Sequence, residues 1–162
     1  MTNVNREYMA NRVLAASPME LVKILYETAV DSVNKAIFYL ETGQILERGN
    51  AITKAVEAIS ELRAALRPVE DSDYSKNLEA LYAYMQRQLM KAHMEKSAPI
   101  LSEVSRLLTV LLEGWSEAMK SQEKSAGSEA PTVAGRGPMM PESMAYLQSS
   151  QTVLESGRSW QF

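Results

Sequence analysis

The sequence contains no cysteine and only one histidine among its 162 residues. The absence of cysteine excludes disulfide bonds, thiolate metal sites and cysteine nucleophiles. A zinc or di-iron centre built from several histidines is excluded too, because His93 stands alone and Met90 occupies the glutamate position of a Glu-x-x-His motif. Serine or threonine catalysis needs an activating base, and no sequence context around His93 supports one. We therefore expect no enzymatic activity and no cofactor or metal.

Long apolar runs and an excess of charge of one sign are missing as well. No segment approaches the roughly 18 uncharged apolar residues that span a bilayer, and no basic stretch followed by an apolar run opens the sequence. The net charge is −3, and lysine and arginine are scattered among acidic residues rather than gathered in a stripe. We therefore expect a cytoplasmic protein that neither inserts into a membrane nor binds nucleic acid.

Glycine and proline are scarce before residue 120 and frequent after it. With few aromatic residues and many Leu, Ala, Glu and Met, the first part of the chain favours helices over strands. Gly127, Pro131 and the glycines and prolines that follow are expected to break any long helix. The sequence thus predicts an N-terminal segment over residues 1–16, a helical domain over 17–120, and a mobile tail over 121–162 with room for one short helix near 141–155.

Capping residues mark the starts of four helices. Ser17-Pro18-Met19-Glu20 combines an N-cap, a proline in the first turn and a residue that can close a capping box, and Gly43 is suited to end this first helix. The other predicted N-caps are Asn50, either Ser72 or Ser75, and Ser97. Four helices of about 17 to 24 residues joined by short links predict an all-α fold, an antiparallel four-helix bundle with a flexible C-terminal tail.

Two of these helices carry more apolar residues than one core-facing stripe requires. The first has a stripe through Leu21 and Leu25 and another through Val22 and Tyr26. The fourth has apolar residues outside its main row, namely Ile100, Leu107, Val110 and Leu112. Periodicity alone leaves two interpretations open: a broad core contact, or an exposed groove that awaits an apolar helix from a partner.

Several segments, taken together, resemble the family of flagellar secretion chaperones known as FliS. The resemblance covers roughly residues 8–119 in order and with near-constant spacing. Its segments are Tyr8–Val13, Ala16–Val22, Leu25-Tyr26, Asn77–Leu89, Glu103-Val104, Leu107-Leu108 and Trp115. The chain departs from the family pattern at Ala83, Gln88 and His93, where an acidic residue, an arginine and an asparagine are usual.

The resemblance implies a cytosolic four-helix chaperone that binds the disordered C-terminal segment of flagellin. Such a protein prevents premature polymerisation and delivers flagellin to the flagellar type III export apparatus. The implied client-binding residues are Leu21, Leu25, Tyr26, Asn77, Leu78, Leu81, Tyr84 and Met85, of which some are expected to be core residues. Tyr8 is predicted to fold back over apolar surface of the bundle and to contact cargo or the export gate. The alternative is a helical adaptor for another secretion substrate or a flagellar regulator.

Overall fold

The computed structural model describes residues 2–66 and 72–134, with side chains over 3–66 and 72–127. These ranges contain helices and no strand, which confirms the all-α prediction. The helices are α1 (Thr2–Ala15), α2 (Pro18–Glu41), α3 (Ile45–Leu66), α4 (Asp73–Glu95) and α5 (Ala98–Ala134). The chain divides into two compact units, Met1–Ala118 and Met119–Phe162, and the bundle lies in the first. Over the described ranges, no helix has the length and apolar character needed to cross a membrane.

Three of the predicted N-caps are confirmed. Ser17 Oγ accepts a hydrogen bond from the Glu20 amide at 3.2 Å at the start of α2. Ser72 Oγ accepts one from the Ser75 amide at 3.1 Å at the start of α4, while Ser75 itself is buried. At the start of α5, Ser97 Oγ accepts from the Ile100 amide at a longer 3.4 Å. Each contact satisfies one of the amides that a helix N-terminus leaves without a partner.

The predicted start of α3 at Asn50 is wrong, because the helix already begins at Ile45. Gly43 does end α2, with a left-handed φ of 74°. The Arg48 amide then donates to the Gln44 carbonyl at 3.1 Å, so Gly49 lies inside the new helix. A helical glycine costs about 1 kcal/mol relative to alanine. A Cβ on Gly49 would make only an ordinary van der Waals contact with His93, at 3.5 Å from Cε1, so packing does not require the glycine.

The expectation that helical structure ends near residue 120 is also wrong, because α5 continues to Ala134. Residues 116–126 are mostly good helix formers, and a single Gly127 is too weak a breaker to stop them. Within this stretch Ser125 Oγ donates to the Ser121 carbonyl at 3.0 Å. The rest of the predicted tail, including its short helix near 141–155, lies outside the described residues.

Polar contacts establish that α3 and α4 are antiparallel. Arg48, near the start of α3, donates through Nε to Nδ1 of His93, near the end of α4. Arg63, near the end of α3, donates through Nε to Oε1 of Glu79 at 2.9 Å, near the start of α4. The hydrogen bond to Glu79 also raises the pKa of Arg63.

The same argument sets α5 antiparallel to α2. Trp115 Nε1 donates to the Met19 carbonyl at 3.0 Å. Ser105 Oγ donates to Asn34 Oδ1 at 2.7 Å, so a later residue of α2 meets an earlier residue of α5. Adjacent helices therefore run in opposite directions around the bundle, while α2 and α4 lie on a diagonal.

The diagonal helices α2 and α4 meet in the core. Tyr26 and Tyr82 are both buried, and their hydroxyl groups are hydrogen-bonded to each other. Burial is the main cause that raises the pKa of each tyrosine. Around them the core is built mostly from small and branched residues of all four helices. Its other members are Ala29, Val33, Ala36, Ala51, Ile52, Ala55, Ala58, Ile59, Leu62, Met85, Leu89, Ala92, Leu101, Val104 and Leu108.

Candidate functional site

One side of α4 presents the predicted residues Asn77, Leu81 and Tyr84 toward α5. Their spacing places them on one helical face, because residues three and four apart are neighbours on a helix surface. Tyr84 Oη donates to Oε1 of Glu103 on α5 at 3.0 Å, which identifies α5 as the helix this face looks toward. Leu81 and Tyr84 are half-buried against the core, whereas Asn77 is exposed.

The facing side of α5 carries two apolar residues next to Glu103. Glu103, Leu107, Val110 and Gly114 follow the spacing of a single helical face. Leu107 is half-buried against the core, but Val110 is 60% exposed, and open space lies where a side chain on Gly114 would begin.

The apolar side chains of the two faces, half-buried Leu81 and Leu107 and exposed Val110, together form a surface where α4 and α5 meet. We name it the α4/α5 groove and define it by Asn77, Leu81, Tyr84, Leu107 and Val110.

Two of the predicted client-binding residues belong to the core instead of a surface. Tyr26 is 3% exposed and Met85 is fully buried, so neither can touch a partner while the bundle stays folded. Leu78 is half-buried against the core. Helical periodicity did not separate these positions from their neighbours, because a broad apolar face supplies both the core and the rim of a groove.

The predicted residues Leu21 and Leu25 lie on a different part of the surface. Both are half-buried on α2, which is diagonal to α4. Helices α3 and α5 therefore lie between these two leucines and the outer face of α4. The predicted set does not form one continuous surface, and a partner that contacts all its accessible members has to wrap around the bundle.

Helix α1 holds Tyr8 beside α2 rather than in a groove. Arg12 Nη1 pairs with Glu27 Oε2 at 2.9 Å, and this hydrogen bond raises the pKa of Arg12. Ile24, on the same side of α2 as Glu27, is buried although it lies outside the main core cluster. This contact places α1 alongside α2, and the Tyr8 side chain is 64% exposed, so its predicted role as a cover over apolar surface stays a prediction.

Leu107 and Val110 are functional candidates that were singled out in the sequence without being assigned to a site. Their position outside the main apolar row of α5 was the signal. The sequence does not show which side of α5 faces α4. The hydrogen bond between Tyr84 and Glu103 shows it, and it places Leu107 and Val110 on the α5 wall of the groove.

The chemistry of the α4/α5 groove suits binding. Of its defining residues, Asn77 and Tyr84 are polar, with Tyr84 paired to Glu103, and Leu81, Leu107 and Val110 are apolar. In the part of the chain that the structure describes, no three His, Asp or Glu side chains are grouped as a metal site. An apolar furrow with a polar rim fits the apolar face of a helix.

Comparisons with known proteins agree on one family. The sequence profile described as Flagellar protein FliS matches residues 1–122. The chain is 33% identical over 106 residues to the flagellar secretion chaperone FliS of Salmonella typhimurium, which covers 65% of this chain and 78% of that protein. It is 34% identical over 104 residues to FliSB of Pseudomonas aeruginosa, covering 64% and 82%. With FliS of Bacillus subtilis it shares 28% identity over 117 residues, covering 72% and 86%.

Proposed function

Because this chain belongs to the FliS family of flagellar secretion chaperones, we propose that its α4/α5 groove binds the C-terminal segment of flagellin in the cytoplasm. The bound chaperone keeps flagellin from polymerising and delivers it to the flagellar type III export apparatus. The role is stoichiometric and requires no catalysis by the chaperone, in keeping with a family of chaperones rather than enzymes.

The observation that carries this proposal is the exposure of Val110 in a groove otherwise lined by half-buried Leu81 and Leu107. Val110 is a branched apolar side chain that is 60% exposed beside other apolar residues. Its removal from water by a partner contributes favourably to the free energy of binding.

Binding of this kind couples folding of the client to association. A disordered flagellin segment loses conformational entropy when it becomes a helix in the groove, and that loss consumes part of the interaction free energy. The complex can therefore be specific while its binding affinity stays moderate. Handover to the export apparatus can then proceed without nucleotide hydrolysis by the chaperone.

Helix α1 offers a separate contact for the export gate. Its large apolar residues remain outside the core and in water. They are Val4, Tyr8, Val13 and Leu14. Tyr8 combines a large ring with a polar tip, a combination suited to protein interfaces. Val4 and Tyr8 lie on the same side of α1, one turn apart. We propose that a gate component contacts this side of α1 while flagellin occupies the α4/α5 groove.

The test is to mix the purified full-length chain with flagellin from the same organism and with flagellin that lacks its C-terminal segment. Light scattering after gel filtration should show a one-to-one complex with intact flagellin and none with the truncated form. Equal binding of both forms would place recognition elsewhere on flagellin. Absence of any complex, with another export substrate or flagellar regulator bound instead, would identify the chain as a different kind of adaptor.

A further inference from the structure

A carboxylate lies at the edge of the α4/α5 groove. The residues that define the groove carry no charge, and Glu103 shares one face of α5 with Leu107 and Val110. The Glu103 side chain is half-buried. Seven residues separate Glu103 from Val110, which corresponds to two helical turns or about 10 Å along α5. The acidic group is therefore within reach of a helix that covers Val110.

Tyr84 positions this carboxylate without neutralising it. Tyr84 Oη, an uncharged donor, gives its hydrogen bond to Oε1 of Glu103 at 3.0 Å. Over residues 3–66 and 72–127, Oε2 of Glu103 has no hydrogen-bond partner, and no lysine or arginine forms a salt bridge with the carboxylate. Arg106, one turn farther along α5, is exposed and does not pair with it. In the free protein the negative charge is thus left to the solvent.

A helix bound in the groove changes the surroundings of this charge. A partner that covers Leu107 and Val110 also removes water from Glu103 beside them. Burial of a carboxylate that has no cation beside it is strongly unfavourable. A purely apolar helix therefore binds poorly, whereas a basic residue at the matching position compensates for the lost water through a charge-assisted hydrogen bond.

We propose that Glu103 determines specificity in the groove by pairing with a basic residue of the bound flagellin segment. This inference rests on the proposed function and adds the chemistry that the client must present. A client helix that lies along α5 rises by the same 1.5 Å per residue. Its basic residue is therefore expected about seven residues from the apolar residue that covers Val110. Segments with an acidic or apolar residue there are disfavoured.

A double-mutant cycle between the chaperone and its client tests this pairing. Each lysine and arginine of the flagellin C-terminal segment is replaced singly by glutamine, and calorimetry measures affinity for the full-length wild-type chain and for Glu103→Gln. One replacement should weaken binding to the wild type at least about tenfold, as close charge pairs across interfaces do. The same replacement should change the affinity for Glu103→Gln by less than about threefold.

The matched control is Glu113→Gln, which removes the same charge from an exposed position of α5 outside the groove face. Replacement of the client's basic residue should still weaken binding to this variant about tenfold. A charge reversal gives a second measurement that does not depend on Glu103→Gln. Glu103→Lys and a glutamate in place of the client's basic residue should each weaken binding, and the two together should restore it.

Flagellin that binds in the groove with no basic residue coupled to Glu103 would overturn this inference and leave the proposed function standing. Equal coupling to Glu103 and Glu113 would overturn it as well, because long-range attraction and not a pair would then explain the effect. If Val110→Glu leaves flagellin binding unchanged, the proposed function fails, and this inference fails with it.

Discussion

Tyr84 on α4 and Glu103 on α5 are joined by a hydrogen bond of 3.0 Å that crosses the α4/α5 groove. This contact ties α5 to α4. Tyr84→Phe should lower the free energy of unfolding by about 1 kcal/mol, the usual net value of a hydrogen bond, with a larger value for a charged acceptor. Urea denaturation measures this change in the free energy of unfolding. Glu103→Gln, which keeps an acceptor, should lose less, and an equal loss would contradict this assignment.

The exposed wall of the groove gives a sharper prediction. Val110→Glu should weaken flagellin binding by more than about tenfold, because it places an unpaired charge where an apolar surface must be desolvated. Circular dichroism should show unchanged helicity, since the residue is 60% exposed in the free protein. Phe38→Glu introduces the same charge at a comparably exposed position outside the groove. Flagellin affinities that fall equally in both variants would argue against the groove as the binding site.

The hydrogen bond between the buried side chains of Tyr26 and Tyr82 contributes to the free energy of unfolding. Tyr82→Phe removes one hydroxyl and leaves that of Tyr26 enclosed without its partner, which costs about 1–3 kcal/mol. Removing both hydroxyls in Tyr26→Phe/Tyr82→Phe should recover part of this loss. Chemical denaturation of the two single variants and the double variant gives the coupling. Strictly additive losses would mean that the hydroxyls do not interact.

The same pair predicts how stability depends on pH. Burial raises the pKa of both tyrosines, so the folded protein keeps their protons at pH values where unfolded tyrosines, with a pKa of about 10, ionise. The contribution is therefore fully present below about pH 10 and is lost as pH rises above it. Urea midpoints of the wild type should fall across this range, and the double Phe variant should fall less. Identical alkaline slopes would exclude the pair as the cause.

Local chemistry made the starts of α2 and α4 predictable from the sequence. Ser17 and Ser72 cap their helices through amides only three residues away, so a short window contains the whole signal. The start of α3 was missed because its explanation is not local. Gly49 and Asn50 look like a turn, but a helical glycine costs only about 1 kcal/mol, and the start of α3 is held against α4 by the contact of Arg48 with His93, which is distant in sequence.

The candidate site was predicted in part. Leu81 and Tyr84 came from the resemblance to a family, and the structure places both on one wall of the groove. Tyr26 and Met85 came from the same motifs and are buried. Core and groove residues of a bundle share one apolar face of each helix, so sequence periodicity does not separate them. Only the packing of α5 against α4 shows which residues remain open to a partner.

Binding of flagellin in the α4/α5 groove is tested most directly by intermolecular nuclear Overhauser effects between the methyl-labelled full-length chain and the C-terminal segment of flagellin. We expect contacts from the methyl groups of Leu81, Leu107 and Val110 to apolar side chains of a flagellin helix. Methyl groups of Leu46 on α3 and of Met94 on α4, both outside the groove, should show none. Contacts confined to Leu46 and Met94, or a bound segment that leaves the methyl groups of the α4/α5 groove unperturbed, would contradict it.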